Sequence, residues 1–204
     1  METARLAAHQ KKARRLNATL VFWDESGFLM LPIVRRTWAP KGQTPVLHHN
    51  AKRRRKVSAI GMLTLSPRRR RLGCYHLLQS DASIDETLVV AVLRQMRRHF
   101  RGPLIVLWDR LQAHRSHWVQ NYLAATPDVH VEYFPAYAPE LNPVEYLWAD
   151  TKTHDLAQFC PHDVDELTTA ADAALSRKPD DQHRLAGYLR KSGLPLRLKI
   201  KPQP

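Results

Sequence analysis

Two aspartates close apolar segments of the same kind. Asp24 ends the segment LVFWD and Asp109 ends the segment IVLWD. Each apolar run predicts a buried strand, and strand ends line the crevice where ligands bind in open α/β sheets. A lone aspartate after a strand is usually a turn former or helix cap. Two of them in a chain of net charge +13 favour a divalent cation site, because paired carboxylates would otherwise repel a polyanion.

A third acidic residue comes from the segment PELNPVEYLW, which spans 139–148. Here Asn142 fits a helix N-cap, Pro143 the first helical position and Glu145 the third. A capping box, in which Glu145 bonds back to the backbone of Asn142, is an equally good interpretation. Glu140 competes as the third acid, but its proline-flanked loop would hold a site less rigidly. Trp148, which shares a helix face with Glu145, would support a site there.

Two further residues lie close to these acids in the sequence. His114 follows Asp109 by five residues at the start of a predicted helix, where it could contact a phosphate or orient a metal-bound water. An exposed polar role is an equal alternative. Glu25 would point to the opposite face of the strand and is the weaker ligand. Trp23 and Trp108 are expected to pack in the core.

Weaker candidates lie outside these motifs. A turn-rich insertion could contact DNA, although its tryptophan could equally belong to the core; its candidate residues are Arg36, Trp38, Lys41 and Gln43. A zinc site is a minor alternative, because the spacing is not that of a standard finger. Its ligands would be His154, Cys160 and His162, with Asp163 as the fourth.

The charge of the chain points to nucleic acid. Lys and Arg total 32 against 19 Asp and Glu, and the excess lies in clustered runs. One such run is often a solvated loop, but several in 204 residues indicate a polyanion partner. No apolar run reaches the ~20 residues of a membrane span, and two cysteines exclude a disulfide framework. The predicted DNA-binding residues are Lys52, Arg53, Arg54, Arg55, Lys56, Arg68, Arg69, Arg70 and Arg71.

The elements that must position the acids follow from periodicity and breakers. Strands are predicted at 19–23, 57–65, 72–78, 104–108 and 129–134. Helices are predicted at 84–100, 117–125, 143–156, 164–176 and 182–190, with Ser83 and Glu86 as a capping box for the first. Three meandering strands and two reached by helical crossovers predict an α/β fold. The expected architecture is a ribonuclease-H-like, mixed five-stranded sheet with helices on both faces.

The domain organisation follows from the same periodicity and breakers. Residues 1–17 are predicted to form a basic linker helix. Residues 18–160 form the expected ribonuclease-H-like catalytic domain, with an insertion at 26–50 that is rich in Pro and turn residues. Residues 161–204 supply C-terminal helices and a basic tail.

Three ordered motifs resemble bacterial insertion-sequence transposases of the mariner-like branch of the DDE transposases. FWDESGF resembles that family's first-carboxylate motif, IVLWDRLQAHRS its second, and FPAYAPELNPVEYLW its third. Glu145 lies 36 positions after Asp109, which is close to the family's spacing. The resemblance covers nearly the whole chain. One departure is Arg110, which stands where the family commonly has asparagine after its second acid.

The resemblance implies a chemistry. Asp24, Asp109 and Glu145 would hold two Mg²⁺ ions, with Mn²⁺ as a substitute, and His114 and Asn142 would support the site. The protein would then be a metal-dependent DNA endonuclease and strand transferase acting on the ends of a mobile element, with TA as target. A non-catalytic DNA-binding remnant and another ribonuclease-H-like nuclease, such as a junction resolvase, are the alternatives.

The resemblance also implies partners. The family usually carries N-terminal helix-turn-helix modules that this chain is expected to lack, so a separate helix-turn-helix subunit or domain would bind the element ends. The expected assembly is a homodimer that acts on element-end and target DNA without a membrane. The expected location is the bacterial cytoplasm, at the nucleoid.

Overall fold

In the part of the chain that the structure describes, five strands and the five α-helices that follow β3 form the main body of the fold. The computed structural model describes residues 12–13, 15–48, 55–196 and 198–199. The strands are β1 (Thr19–Leu29), β2 (Lys56–Leu65), β3 (Leu72–Ser80), β4 (Leu104–Trp108) and β5 (Val129–Tyr133). The helices are α1 (Glu86–His99), α2 (His117–Ala124), α3 (Pro143–Asp150), α4 (Val164–Ser176) and α5 (Gln182–Lys191).

The strands form one mixed sheet in the order β3-β2-β1-β4-β5. β1, β2 and β3 pair antiparallel, as expected for strands joined by short connections. β4 lies parallel to β1, and β5 lies parallel to β4, since helices make those crossovers. The predicted mixed five-stranded, ribonuclease-H-like sheet is confirmed.

Helices cover both faces of the sheet, as predicted. Along β1, Leu20 and Phe22 join a buried cluster with side chains of α3, α4 and α5. Val21 and Trp23 join a second cluster with side chains of α1 and α2. All five residues of β4 are buried, because the strand is covered on both faces. Trp23 and Trp108 are fully buried, so their predicted core role is confirmed.

Several element boundaries differ from the predictions. β1 continues to Leu29, so the insertion predicted at 26–50 begins only after that residue, and residues 34–48 have no regular structure. β1 is extended because each residue from Leu20 to Leu29 pairs with β2. The predicted Ser83 capping box is wrong: α1 begins at Glu86, and the side chain of Asp85 accepts a hydrogen bond from Leu88 N. The helix predicted at 143–156 ends as α3 at Asp150 and continues as one π-helical turn over 151–155.

The chain ends lie largely outside the described residues. Of the helix predicted over 1–17, Lys12, Ala13, Arg15 and Leu16 are described, and they are helical. Among the described residues, no helix is both long and apolar enough to cross a membrane.

A buried ion cluster joins the C-terminal helices to α3. The Lys178 side chain is 1% exposed, and its Nζ donates to Asp150 Oδ2 at 2.6 Å and to Asp155 Oδ2. Tyr188, on α5, donates its hydroxyl to the same Asp150 oxygen. Burial opposes ionisation of Asp150, but these donors outweigh it and lower the pKa of its carboxyl below the usual range. The cluster therefore fixes the end of α3 against α5.

Candidate active site

Asp24 lies in the middle of β1 rather than at its end. It pairs with Gly61 on β2, and strand alternation places it on the face that α3 covers. Trp148, on α3, donates its indole N–H to Asp24 Oδ2 at 2.9 Å. A Cβ at Gly61 would lie 2.4 Å from the Trp148 ring, so only glycine leaves room for the indole. Trp148 and Gly61 together hold the first acid.

Asn142 attaches α3 to β1. Its side-chain oxygen accepts a hydrogen bond from Val144 N at 3.2 Å, which confirms the predicted N-cap. Its amide nitrogen donates to Trp23 O at 3.1 Å. The backbone N–H of Asn142 donates to Pro139 O, so the alternative capping box with Glu145 is not formed. One buried side chain therefore links the helix that carries Glu145 to the strand that carries Asp24.

Glu145 is exposed in the first turn of α3. Its side chain makes no hydrogen bond within the part of the chain that the structure describes. Glu140, its competitor, is also exposed and lies in a short 3-10 turn.

The charge environment of Asp24 shows that the acids lie near one another. Burial and then the negative charges of Glu145 and Glu25 raise the pKa of Asp24 to about 8. The hydrogen bond from Trp148 lowers it, and the charge of Asp109 adds a smaller increase. Repulsion of this kind is what a bound cation would relieve.

Asp109 directly follows β4. Phe22 and Leu107 are opposite each other in the parallel β1–β4 pair. Two residues further along each strand are Asp24 and Asp109, so alternation directs both acids to one face. Asp109 is exposed, and its Oδ1 accepts a hydrogen bond from Leu111 N at 2.9 Å.

His114 is a buried link between two carboxylates. It lies in a 3-10 turn over 113–115, and its ring stacks on Trp108 with centroids 4.1 Å apart. Its Nδ1 is 3.1 Å from Asp109 Oδ1, and its Nε2 is 2.8 Å from Glu25 Oε1. Of the two alternatives for His114, the exposed polar role is therefore wrong. Trp23 Nε1 donates to the same Glu25 oxygen at 2.6 Å.

The two carboxylates determine the charge of His114. Burial lowers the pKa of the imidazole, but the hydrogen bonds to Asp109 and Glu25 outweigh it and raise the pKa to about 9. The hydrogen bond with His114 also holds the pKa of the Asp109 carboxyl below its usual value. In the protonated form both ring nitrogens can donate, one to Glu25 and one to Asp109, so the imidazolium positions Asp109.

The most compact set of possible ligand atoms differs from the predicted one. Within the described ranges, the one group of three or more His, Cys, Asp or Glu ligand atoms within 4.8 Å of one another comprises Glu25, Asp109 and His114. Asp24 and Glu145 adjoin that group but are not part of it. Strand alternation predicts the face on which Glu25 lies, but the sequence does not show that His114 extends from Asp109 to that face.

Lys152 is a site residue that sequence reasoning did not find. It lies in the π-helical turn, and its Nζ donates to Ser26 Oγ on β1 at 2.7 Å and lies 5.7 Å from the Phe28 ring centroid. Burial lowers the pKa of the ammonium, opposed by the charges of Glu145 and Asp24. A cation therefore lies within the field of the two acids. The only indication of this role in the sequence is that Lys152 lies two helical turns after Glu145 in the predicted helix.

The predicted DNA-binding residues are distributed unevenly. Arg55 pairs with Asp81 and is exposed, as is Lys56. Arg69 is only 5% exposed, which corrects its assignment to a phosphate-contacting surface. It adopts φ 57° in the β2–β3 turn, and its carbonyl accepts from Lys199 N, so the C-terminal segment packs there. Arg68, Arg70 and Arg71 are exposed, and Lys52, Arg53 and Arg54 lie outside the described residues.

The remaining predictions concern Trp38, Arg110, the zinc ligands and the irregular insertion. Trp38 is fully exposed, so the interpretation of this residue as core is wrong. Arg110 lies over the Tyr133 ring at 5.5 Å. The zinc ligands do not come together: His154 pairs with Asp150, and Cys160 donates to the carbonyl of Gln158. Arg36, Lys41 and Gln43 lie in the exposed irregular segment.

The strand order and the acidic edge define the class of the protein as ribonuclease-H-like. The family model for the DDE superfamily endonuclease matches residues 19–168, and the chain belongs to that family. Comparison with curated protein sequences gives no match.

Solved structures with a similar fold include several of the Mos1 mariner transposase. The chain matches a Mos1 paired-end complex with left transposon end at TM-score 0.64 and 18% identity, covering 94% of this chain and 57% of that one. A paired-end complex with Mg matches at TM-score 0.62 and 16% identity, covering 94% and 59%. The Mos1 catalytic domain matches at TM-score 0.56 and 14% identity, covering 96% and 94%. The chain thus spans less than two thirds of the Mos1 chains in the complexes and nearly all of the catalytic domain.

Proposed function

We propose that this chain is the catalytic domain of a transposase, which cleaves DNA and transfers the cut strand with the help of divalent metal ions. The observation that carries the proposal is the placement of Asp24 and Asp109 on neighbouring parallel strands, each two residues beyond the Phe22–Leu107 pair. Burial and the nearby Glu145 and Glu25 also raise the pKa of Asp24 to about 8. A protein of net charge +13 that concentrates acids at one sheet edge is suited to hold cations against a phosphate backbone.

Asp24, Asp109 and Glu145 are the proposed ligands of two Mg²⁺ ions, with Mn²⁺ as substitute. When bound, such a pair stabilises the attacking and leaving oxygens of an in-line displacement at phosphorus. The donor set fits: Asp24 is partly buried, while Asp109 and Glu145 are exposed, and among the described residues the Glu145 side chain has no hydrogen-bond partner. Glu25 remains bonded to His114 in this assignment and acts on Asp109 rather than on a metal.

The surrounding side chains position these acids. Trp148 fixes Asp24, His114 fixes Asp109, and Asn142 fixes the helix that carries Glu145. Lys152 supplies a cation near Asp24 and Glu145, where it can bind a phosphate oxygen of the substrate.

The DNA substrate is proposed to be the end of a mobile element, followed by a target duplex. Three observations support it: membership of an endonuclease family, the Mos1 structures determined with transposon ends, and the exposed Arg68, Arg70 and Arg71. We further propose a homodimer, a separate helix-turn-helix module for element ends, and a bacterial, nucleoid-associated setting. Arg68, Arg70 and Arg71 would supply phosphate contacts without base recognition.

Metal-dependent nicking of supercoiled plasmid tests the function. The chain is expected to convert plasmid to nicked circles in Mg²⁺ or Mn²⁺ and to leave it intact in EDTA, because the carboxylates alone cannot stabilise the leaving oxygen. A Glu140→Gln variant, which alters an exposed acid next to the site, is the matched control and should cleave normally. DNA binding without cleavage in either metal would support the non-catalytic alternative. A strong preference for four-way junctions over linear duplex would support the resolvase alternative.

Mg²⁺ affinity is expected to rise with pH up to about 8. The pKa of Asp24 is about 8, so below that pH the metal must displace a proton, and the affinity should change by about tenfold per pH unit. Above it the carboxylate is already ionised and the dependence should level off. Calorimetric titration of Mg²⁺ at pH 6.5 to 9 measures this. Asp24→Asn, which has no proton to lose, should bind weakly and without this dependence. A constant wild-type affinity over the range would contradict the assignment of Asp24 as a ligand.

A further inference from the structure

Tyr137 is an aromatic residue that the fold does not use. Its side chain is fully exposed, at 102% of the reference accessibility. It makes no hydrogen bond and no ring contact within the described part of the chain. Its backbone has φ 59°, a left-handed conformation that disfavours bulky side chains. Neither packing nor backbone preference explains a tyrosine here, where glycine or asparagine would be less strained.

The loop around Tyr137 is fixed at both ends. Phe134 N donates to Trp108 O at 3.1 Å, and the Phe134 side chain is buried. On the other side, Leu141 N donates to Ala138 O, and Asn142 is bonded to β1. The strained residue is therefore presented on a rigid support, as strained residues at functional sites commonly are.

The strand order places the loop that carries Tyr137 at the same edge of the sheet as Asp109. β4 and β5 are parallel neighbours, so the connections that leave their carboxyl ends emerge at one edge of the sheet. Asp109 begins one of these connections, and Tyr137 lies in the other, eight residues before Glu145. An exposed aromatic ring at that edge is therefore accessible from the side on which the carboxylates lie.

We propose that Tyr137 stacks on an unpaired base of the DNA strand next to the scissile phosphate. The inference rests on the proposed nuclease function and adds a substrate contact to it. An aromatic ring stacks on any base because every base has a π face, so the contact would hold a splayed nucleotide without reading its identity. The basic residues described above bind phosphates, and none of them supplies this function.

The test compares two substrates and four variants. The substrates are a fully paired linear duplex and the same duplex with a short central bubble, each cleaved in Mg²⁺. Wild type is expected to cleave the bubble strand faster than the paired strand. Tyr137→Ala should lose about tenfold on the bubble, as loss of one stacked base predicts, and little on the duplex. Tyr137→Phe and Tyr137→Trp should retain the preference, since they keep a ring.

Tyr137→Gly separates the ring from the backbone. Glycine adopts the same φ without strain, so this variant should be as thermally stable as wild type or more so, yet as defective on the bubble as Tyr137→Ala. The proposal would be overturned if the Ala and Gly variants kept the preference for the bubble substrate, or if the Phe variant lost that preference. An altered oligomeric state in Tyr137→Ala with unchanged substrate preference would also overturn it and would indicate a contact with a second copy of the chain. If wild type cleaves neither substrate, the proposed function itself fails.

Discussion

Replacing any one of the three proposed metal ligands is expected to abolish DNA cleavage. Asp24→Asn, Asp109→Asn and Glu145→Gln each remove one anionic ligand while preserving size. Metal stabilisation of the transition state is worth several kcal/mol, so each rate should fall on the order of a thousandfold. Plasmid nicking in saturating Mg²⁺ measures the loss, and Glu140→Gln controls for a change of charge alone.

Binding separates loss of chemistry from loss of folding. Removal of a negative charge beside phosphate should leave the affinity for duplex DNA equal to or higher than that of wild type, measured in EDTA. Asp24→Asn should not lower the melting temperature, because ionising that partly buried carboxyl next to other acids is itself unfavourable. If Asp109→Asn loses cleavage while Asp24→Asn or Glu145→Gln cleaves at near the wild-type rate, the proposed triad is contradicted. A parallel loss in Glu25→Gln would direct attention to the compact group of Glu25, Asp109 and His114.

Lys178→Met is expected to destabilise the fold strongly without touching the acidic site. The lysine is 1% exposed and bonded to both Asp150 and Asp155. Removing one partner of a buried ion cluster leaves uncompensated charge and costs about 3–5 kcal/mol. Urea denaturation should show a lower midpoint with an unchanged slope.

Two controls identify the cause of that loss. Arg177→Met removes a side chain that is 68% exposed and 4.0 Å from Asp155, and an exposed pair contributes about 0–1 kcal/mol. A triple variant, Lys178→Met with Asp150→Asn and Asp155→Asn, should recover part of the stability because no buried charge remains unpaired. Equal effects of Lys178→Met and Arg177→Met would show that the cluster does not stabilise the fold.

The elements were predictable because local patterns agreed with the final packing. β4 is determined within its own segment by five apolar residues, and the start of α3 by Asn142 as N-cap and Pro143 as the first helical residue. β1 was predicted too short because DESGF lacks a continuous apolar run, and pairing with β2 extends the strand. Pairing across the sheet is not visible in a local window.

The site was predictable only in part, for a related reason. The acids stand at recognisable positions, but the groups that hold them come from far away in the sequence. Trp148 is 124 residues from Asp24, and His114 is 89 residues from Glu25. A single sequence contains no periodicity that links such pairs. Lys152 was missed because its position depends on the π-helical turn, which wraps a helix more widely than 3.6 residues per turn implies.

The close fit of Trp148 over Gly61 restricts how this protein can evolve. A side chain at position 61 would collide with the indole, whose nearest ring carbon lies 2.4 Å from the added Cβ. A smaller residue at position 148 would admit it, but Asp24 would then lose its indole donor. A lineage that changes only one of these positions must therefore pass through a protein in which the indole packs poorly or Asp24 is poorly positioned. Across descendants, glycine at 61 and tryptophan at 148 should be inherited as a pair, and copies released from selection should lose both.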